Sequence, residues 1–154
     1  MSEKSSKQKI LVPVDFSAFS EAALVKACEL ADCMKLPVVI LHVVHDPSEL
    51  PGYYAKMTKK KNLVRMEDVA KEMFDEFMEM MIKNHPKLKA LTEAESKLVV
   101  GLPVGRILEV AKTVHAEMIV MGSQGHTGLK HILLGSKAEQ VVRLSPVSVT
   151  IVKT

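Results

Sequence analysis

The chain has 154 residues, 47% hydrophobic and 25% charged, with a formal net charge of +3. That length suits one domain with a sizeable core, and so balanced a charge leaves no footprint for nucleic acid or an anionic membrane. No apolar run approaches the roughly 18 residues of a membrane span, and 4% aromatics with no Trp give no stacking platform for single strands.

Residues 1–9 are polar, lack the apolar centre of a signal peptide, and read as a flexible tail. Residues 10–154 read as a single domain, and the cytoplasm is the default compartment. Residues 10–14 form a short apolar run that ends at Asp15, as a strand buried on both faces would. Ser17 is placed as an N-cap for a helix with a broad apolar face, Ala23, Ala27 and Ala31 among it. Cys28 and Cys33 lie in that helix, five apart, and match neither CxxC nor a disulfide framework. Pro37 breaks the pattern, and residues 38–44 give a second β-branched run.

Residues 45–63 read as a long loop, with Pro47, Pro51, Gly52 and three lysines, 59–61, taken as solvated surface. Residues 64–83 form the longest helix. Val69, Met73, Phe77 and Met80/Met81 are assigned to its buried face, with the methionines as adaptable core filling. A third strand follows at 93–100. Pro103 opens a helix whose inward stripe is Ile107, Leu108, Ala111 and Val114. A fourth strand at 118–121 runs into a glycine-rich loop, 122–135, and then a helix at 136–144. The last strand, 147–152, begins at Val147 and ends at Val152. Strands alternating with helices predict an α/β fold, an open five-stranded parallel sheet with right-handed crossovers and helices on both faces.

In such sheets ligands bind beyond the carboxyl ends of the strands, where strand order reverses. Two segments lie at such ends, Asp15 and the loop after the fourth strand. Four of the seven glycines fall between 122 and 135, where Gly122 and Gly125 let backbone approach a ligand and turn amides toward an anion. Gly135 and Ser136 open a helix, and a helix N-terminus favours phosphate. Ser136 with Glu139 also has capping-box spacing, which needs no ligand. Thr127, His126, Lys130, His131 and Lys137 surround the loop as further donors. The chain has no P-loop pattern, and Asp15-Phe16-Ser17 stands where a dinucleotide fold would carry G-x-G-x-x-G. A carboxylate there accepts from hydroxyl or amino groups and repels phosphate, so the first strand's end should face ribose or base.

The run Gly122-x2-Gly125-x9-Gly135-Ser136, with Asp15 and the strand Ile10-Leu11-Val12-Pro13-Val14 before it, resembles the nucleotide-binding signature of the universal stress protein family. Leu41-His42-Val43-Val44, Gly101-Leu102-Pro103 and Ser145-Pro146-Val147 extend the resemblance over almost the whole chain. It implies a Rossmann-like, adenine nucleotide alpha hydrolase-like fold that takes ATP or AMP. Asp15 and the backbone at Pro13 and Val14 would hold adenine and ribose, and Val43 would offer backbone groups to the adenine edge. Met121 and Gly122 would line the ribose and phosphate side. Gly125, His126, Gly135, Ser136 and Lys137 would surround the phosphates. Homodimers pairing through residues 147–152 are also implied, and pairing removes an open apolar edge.

These features favour a regulatory, nucleotide-sensing stress protein with a protein partner the sequence does not name. One alternative is a slow ATPase or a phosphoryl or adenylyl transferase. Another is an interaction protein with a vestigial pocket. Catalysis needs a positioned base or metal ligands, and no catalytic residue or metal ligand is assigned. Mg²⁺ would be bound mainly through phosphates and water.

Overall fold

A computed structural model describes residues 7–45, 60–125 and 133–154. Five strands, β1 (Lys9–Pro13), β2 (Val38–His45), β3 (Glu95–Gly101), β4 (Ala116–Gly122) and β5 (Ser148–Val152), form one parallel sheet. Their order is β3-β2-β1-β4-β5. Five helices connect and cover them: α1 (Ala18–Met34), α2 (Lys60–Asn84), α3 (Lys89–Thr92), α4 (Pro103–Thr113) and α5 (Ser136–Leu144). The α/β fold class and parallel sheet read from the sequence are as expected.

The order explains the two-sided cover. The chain moves outward from β1 through β2 to β3, then crosses back to β4 on the other side of β1 and continues to β5. Right-handed crossovers in opposite directions must lie on opposite faces. One face carries α1, α2 and α3, with Ala23, Leu24, Phe74, Phe77 and Leu91 packed on Ile10 and Val12. The other carries α4 and α5, with Ile107, Ala111 and Val141 packed on Leu11, Val39 and Ile119. This is why residues 10–13 of β1 and 38–41 of β2 are continuously apolar: successive residues point to opposite cores. Ile10, Leu11 and Val12 are fully buried, each worth about 1.5–3 kcal/mol relative to exposure.

Several boundaries differ from the sequence reading. Lys9, assigned to the tail, opens β1, and its Nζ pairs with Glu95 at 3.3 Å. Helix α2 starts at Lys60, so the last four residues of the expected 45–63 loop are helical; residues 46–59 lie outside the described residues. The buried face of α2 is Ala70, Phe74, Phe77 and Met81, whereas Val69, Met73 and Met80 are exposed. Two adjacent apolar stripes compete on this helix, and the one with both phenylalanines turns inward because aromatics bury the larger area. The methionines are therefore mostly not core filling.

Helix α3 was not anticipated. Its four residues depend on a distant contact, the Ala90 N–H donating to Asp32 Oδ1 at 3.0 Å. Strand β3 accordingly begins at Glu95 rather than residue 93. Cys28 is buried, and burial first, then the charges of Asp32 and Glu29, push its thiol up to about 12. It is an inert core residue at neutral pH. Among the described residues no helix is long and apolar enough to cross a membrane.

Candidate functional site

A cavity of about 470 Å³ opens at the carboxyl ends of β1, β2 and β4. This is the point where strand order reverses, the position that open α/β sheets use for ligands. One wall is the end of β1 and the turn into α1. Val14 is buried and Asp15 half-buried, both lining the cavity. Asp15 Oδ1 accepts from Ser17 Oγ and Ser20 Oγ, each at 2.5 Å, and from the Ser17 N–H at 3.1 Å. Its own N–H donates to Ser20 Oγ at 2.9 Å. Ser17 is the N-cap expected from the sequence, its Oγ accepting from the Ser20 N–H at 3.2 Å. The first turn of α1 is thus closed by hydroxyls and held against a carboxylate.

The opposite wall is the start of α5. The N-cap is Gly135, and Ser136 is the first helical residue, so the capping-box reading of Ser136 does not hold. The first intrahelical bond runs from the Glu139 N–H to Gly135 O at 2.9 Å. The amides of Ser136, Lys137 and Ala138 precede it, as orphan donors at any helix start do. Among the described residues no backbone carbonyl accepts from them. The Gly135 N–H is already committed, donating to Ser123 O at 2.7 Å, while the Ser123 N–H donates to Val152 O at 3.1 Å. These two bonds pin both ends of the glycine loop to the sheet. Residues 135–138 all line the cavity, and Ser136 and Lys137 are exposed.

Two glycines have a steric reason. A Cβ on Gly122 would lie 2.8 Å from Phe19 Cβ and 2.9 Å from the Phe19 carbonyl carbon, so its absence lets β4 approach α1. A Cβ on Gly125 would lie 2.6 Å from Asp15 Oδ2. Asp15 cannot swing away without breaking its bonds to Ser17 and Ser20. Gly125 therefore brings the glycine loop against the carboxylate from across the cavity.

The floor and roof are apolar. Pro13, Val43 and Met121 line the cavity as the sequence suggested, together with Leu41, Pro103 and Ile107. His42 also lines it, with Nδ1 2.7 Å from Val14 O. The carbonyl can only accept, so Nδ1 carries a proton. Burial first pulls the His42 imidazole below its ordinary value, partly opposed by this bond and by the charge of Asp15. Among the described residues no cluster of three or more His, Cys, Asp or Glu could hold a metal ion.

The family model described as "Universal stress protein family" matches residues 7–153. The chain belongs to the universal stress protein family. It is 30% identical to "Universal stress protein MJ0577" of Methanocaldococcus jannaschii, over 95% of this chain and 94% of the relative. A universal stress protein solved in complex with cAMP superposes with a TM-score of 0.64 at 26% identity, covering 96% of this chain and 98% of that one. The Archaeoglobus fulgidus universal stress protein in complex with dAMP superposes at 0.63 and 26%, covering 95% and 98%.

Of the site residues read from the sequence in this universal stress protein, Pro13, Val14, Asp15, Val43, Met121, Gly122, Gly125, Gly135, Ser136 and Lys137 come together around one cavity. His126 lies outside the described residues. Sequence reasoning passed over Ser20, which shares the Asp15 carboxylate. Its signal was present: Asp15-x-Ser17-x-x-Ser20 sets a second hydroxyl one helical turn after the cap. It also passed over His42, read as one more strand residue, and Pro103 and Ile107, read as helix start and core. Their place at the site depends on strand order, which local pattern does not encode.

Proposed function

We propose that residues 10–154 act as one adenine-nucleotide-binding regulatory domain that holds ATP or AMP in this cavity and conveys its nucleotide state to a partner protein. The carrying observation is that a single cavity has an acid-lined end at Asp15 and an uncapped helix N-terminus at α5. A carboxylate suits ribose hydroxyls or an amino group, and a helix N-terminus suits phosphate. Relatives solved with cAMP and dAMP support an adenosine phosphate as the ligand class. Asp15, Pro13, Val14 and Val43 would take adenosine, Met121 and Gly122 the ribose-to-phosphate junction, and Gly125, His126, Gly135, Ser136 and Lys137 the phosphates. Mg²⁺ would accompany ATP through phosphate oxygens and water.

The domain would work as a homodimer paired through β5. That edge strand, Ser-Val-Thr-Ile-Val, has no charged residue, whereas the other edge strand, β3, carries Glu95 and Lys97. Charges guard an edge against pairing and their absence invites it. Light scattering should give a dimer for the wild type and a monomer for Val149→Lys; a dimeric variant would place the interface elsewhere.

The test of the binding function is to purify the protein without added nucleotide, denature it, identify any released small molecule by mass spectrometry, and titrate the emptied protein with ATP and AMP by calorimetry. Released or titratable adenine nucleotide is expected. No bound nucleotide and no heat with either ligand would overturn the proposal.

A further inference from the structure

Strands β1 and β2 pair in register from Ile10–Val38 to Pro13–Leu41, and one more bond runs from the Val14 N–H to Leu41 O at 2.8 Å. In a parallel ladder the N–H and C=O of one residue point to the same neighbouring strand, and residues two apart repeat that direction. Leu41 O faces β1, so both backbone groups of Val43 face that side as well. The regular next bond would run from the Val43 N–H to Val14 O. The structure does not make it. Val14 O accepts instead from His42 Nδ1 at 2.7 Å, and among the described residues no backbone hydrogen bond joins Val43 to Val14.

The imidazole is held in place for this. It stacks on Phe16 with ring centroids 4.3 Å apart, and Phe16 packs in turn on Phe74 and Phe77 of α2 at 5.9 and 5.4 Å. Phe16 adopts a left-handed φ of 67°, which strains a side-chain-bearing residue. That turn lies three residues beyond the end of β1, and the Phe16 ring rests on His42. Val14 and Val43 both line the cavity that opens where the ladder stops.

We infer that His42 is a positioning residue: by occupying the Val14 carbonyl it ends the β1–β2 ladder one bond early and leaves the Val43 N–H and C=O facing the cavity as a donor–acceptor pair for the edge of a bound adenine. This rests on the adenine-nucleotide reading above. Adenine offers an amino donor beside a ring-nitrogen acceptor, which such a pair can match. A base that replaces the amino group by a carbonyl cannot satisfy the Val43 carbonyl, and an unpaired buried polar group is costly.

Amide hydrogen exchange by NMR on the full chain without ligand tests the role of His42 independently of nucleotide. In the wild type the Val43 amide should exchange at least about tenfold faster than that of Leu41, which sits inside the ladder. Phe at this position keeps the stacking and loses the donor. In His42→Phe the Val43 amide should therefore slow, as Val14 O becomes available to it. His42→Asn keeps a donor near the Nδ1 position and should restore fast exchange. In binding, a preference of the wild type for AMP over inosine monophosphate of about tenfold or more should collapse toward parity in His42→Phe and return in His42→Asn. A general loss of stability would not spare the Asn variant or act on base preference alone.

A Val43 amide as protected as Leu41 in the ligand-free wild type would overturn the inference, and that measurement stands even if His42→Phe does not fold. A folded His42→Phe with unchanged Val43 exchange and unchanged base preference would overturn it too. A wild type that binds neither AMP nor ATP would overturn the nucleotide reading and with it the base-edge role, while its Val43 exchange would still decide whether His42 ends the ladder.

Discussion

Two helices begin at the same cavity, and they begin differently. Helix α1 starts at Ser17, whose hydroxyl caps the Ser20 amide while the Asp15 carboxylate accepts from Ser17 and Ser20. The positive end of its dipole is met from within the chain. Helix α5 starts at Gly135, with no side-chain cap, and its first residues, Lys137 among them, line the cavity. A side-chain cap is worth about 1 kcal/mol over Ala, as at Ser17, but only about a few tenths of a kcal/mol over a glycine such as Gly135. A helix start with no side-chain cap leaves its first amides open to an anion from outside the helix. The glycine loop joins the two ends, because Gly125 abuts the Asp15 carboxylate and Gly135 bonds back to Ser123.

The comparison can be broken most severely at Gly125. In Gly125→Val a branched side chain enters the space of Asp15 Oδ2, and overpacking of about 1–3 kcal/mol would displace either the loop or the carboxylate. AMP affinity should fall about 100-fold in calorimetry while far-UV circular dichroism stays that of the wild type. Unchanged affinity in a folded variant would remove Gly125 from the site.

The next change makes α5 resemble α1. Ser136→Asp adds a carboxylate at the first helical position, in the same turn as Glu139. Thermal unfolding should show a gain of about 0.3–1 kcal/mol, while AMP affinity falls at least about tenfold through repulsion of phosphate. A variant that is stabilised and still binds AMP normally would show that phosphate does not sit there.

Alanine at each helix start sharpens the contrast. Ser17→Ala removes a cap and should cost about 1 kcal/mol in chemical denaturation. Ser136→Ala removes none and should stay within about 0.5 kcal/mol, with its main effect a weaker affinity for AMP. Equal stability losses would mean that Ser136 caps α5 after all.

The smallest expected effect is on pH. The His42 imidazole titrates below its ordinary value near 6.5 in the folded chain because it is buried. Below that value the unfolded chain takes up the proton first, so stability should decline as pH falls through about 6.5 and level off below the folded-state value. His42→Phe should flatten that part of the stability–pH curve. A curve unchanged by the substitution would assign the slope to other groups.

Much of this was legible in the sequence, for reasons that differ by region. Continuous apolar runs in β1 and β2 reported burial on both faces, and Ser17 announced its helix because an N-cap is a local device. Gly122, Gly125 and Gly135 marked the loop, although only the structure shows that Gly122, on the cavity wall, also makes room for Phe19. The face of α2 was legible only in part: Phe77 and Met81 are buried as expected, but Ala70 and Phe74 take the place of Val69 and Met73, one residue away, because tertiary packing favoured the aromatic. The same limit hid α3, which depends on Asp32, 58 positions from its partner Ala90. The role of His42 was out of reach because it is a departure from ladder register, visible only once β1 and β2 are placed side by side.

The central claim is that one cavity holds adenosine at the Asp15 end and phosphate at the α5 end. Parallel calorimetric titrations of the wild type and Ser136→Asp with AMP and with adenosine test it most directly. The account predicts that the wild type binds AMP at least about tenfold more tightly than adenosine, and that Ser136→Asp loses this preference while retaining its affinity for adenosine. Equal affinity of the wild type for AMP and adenosine, or a Ser136→Asp variant that still prefers AMP, would contradict it.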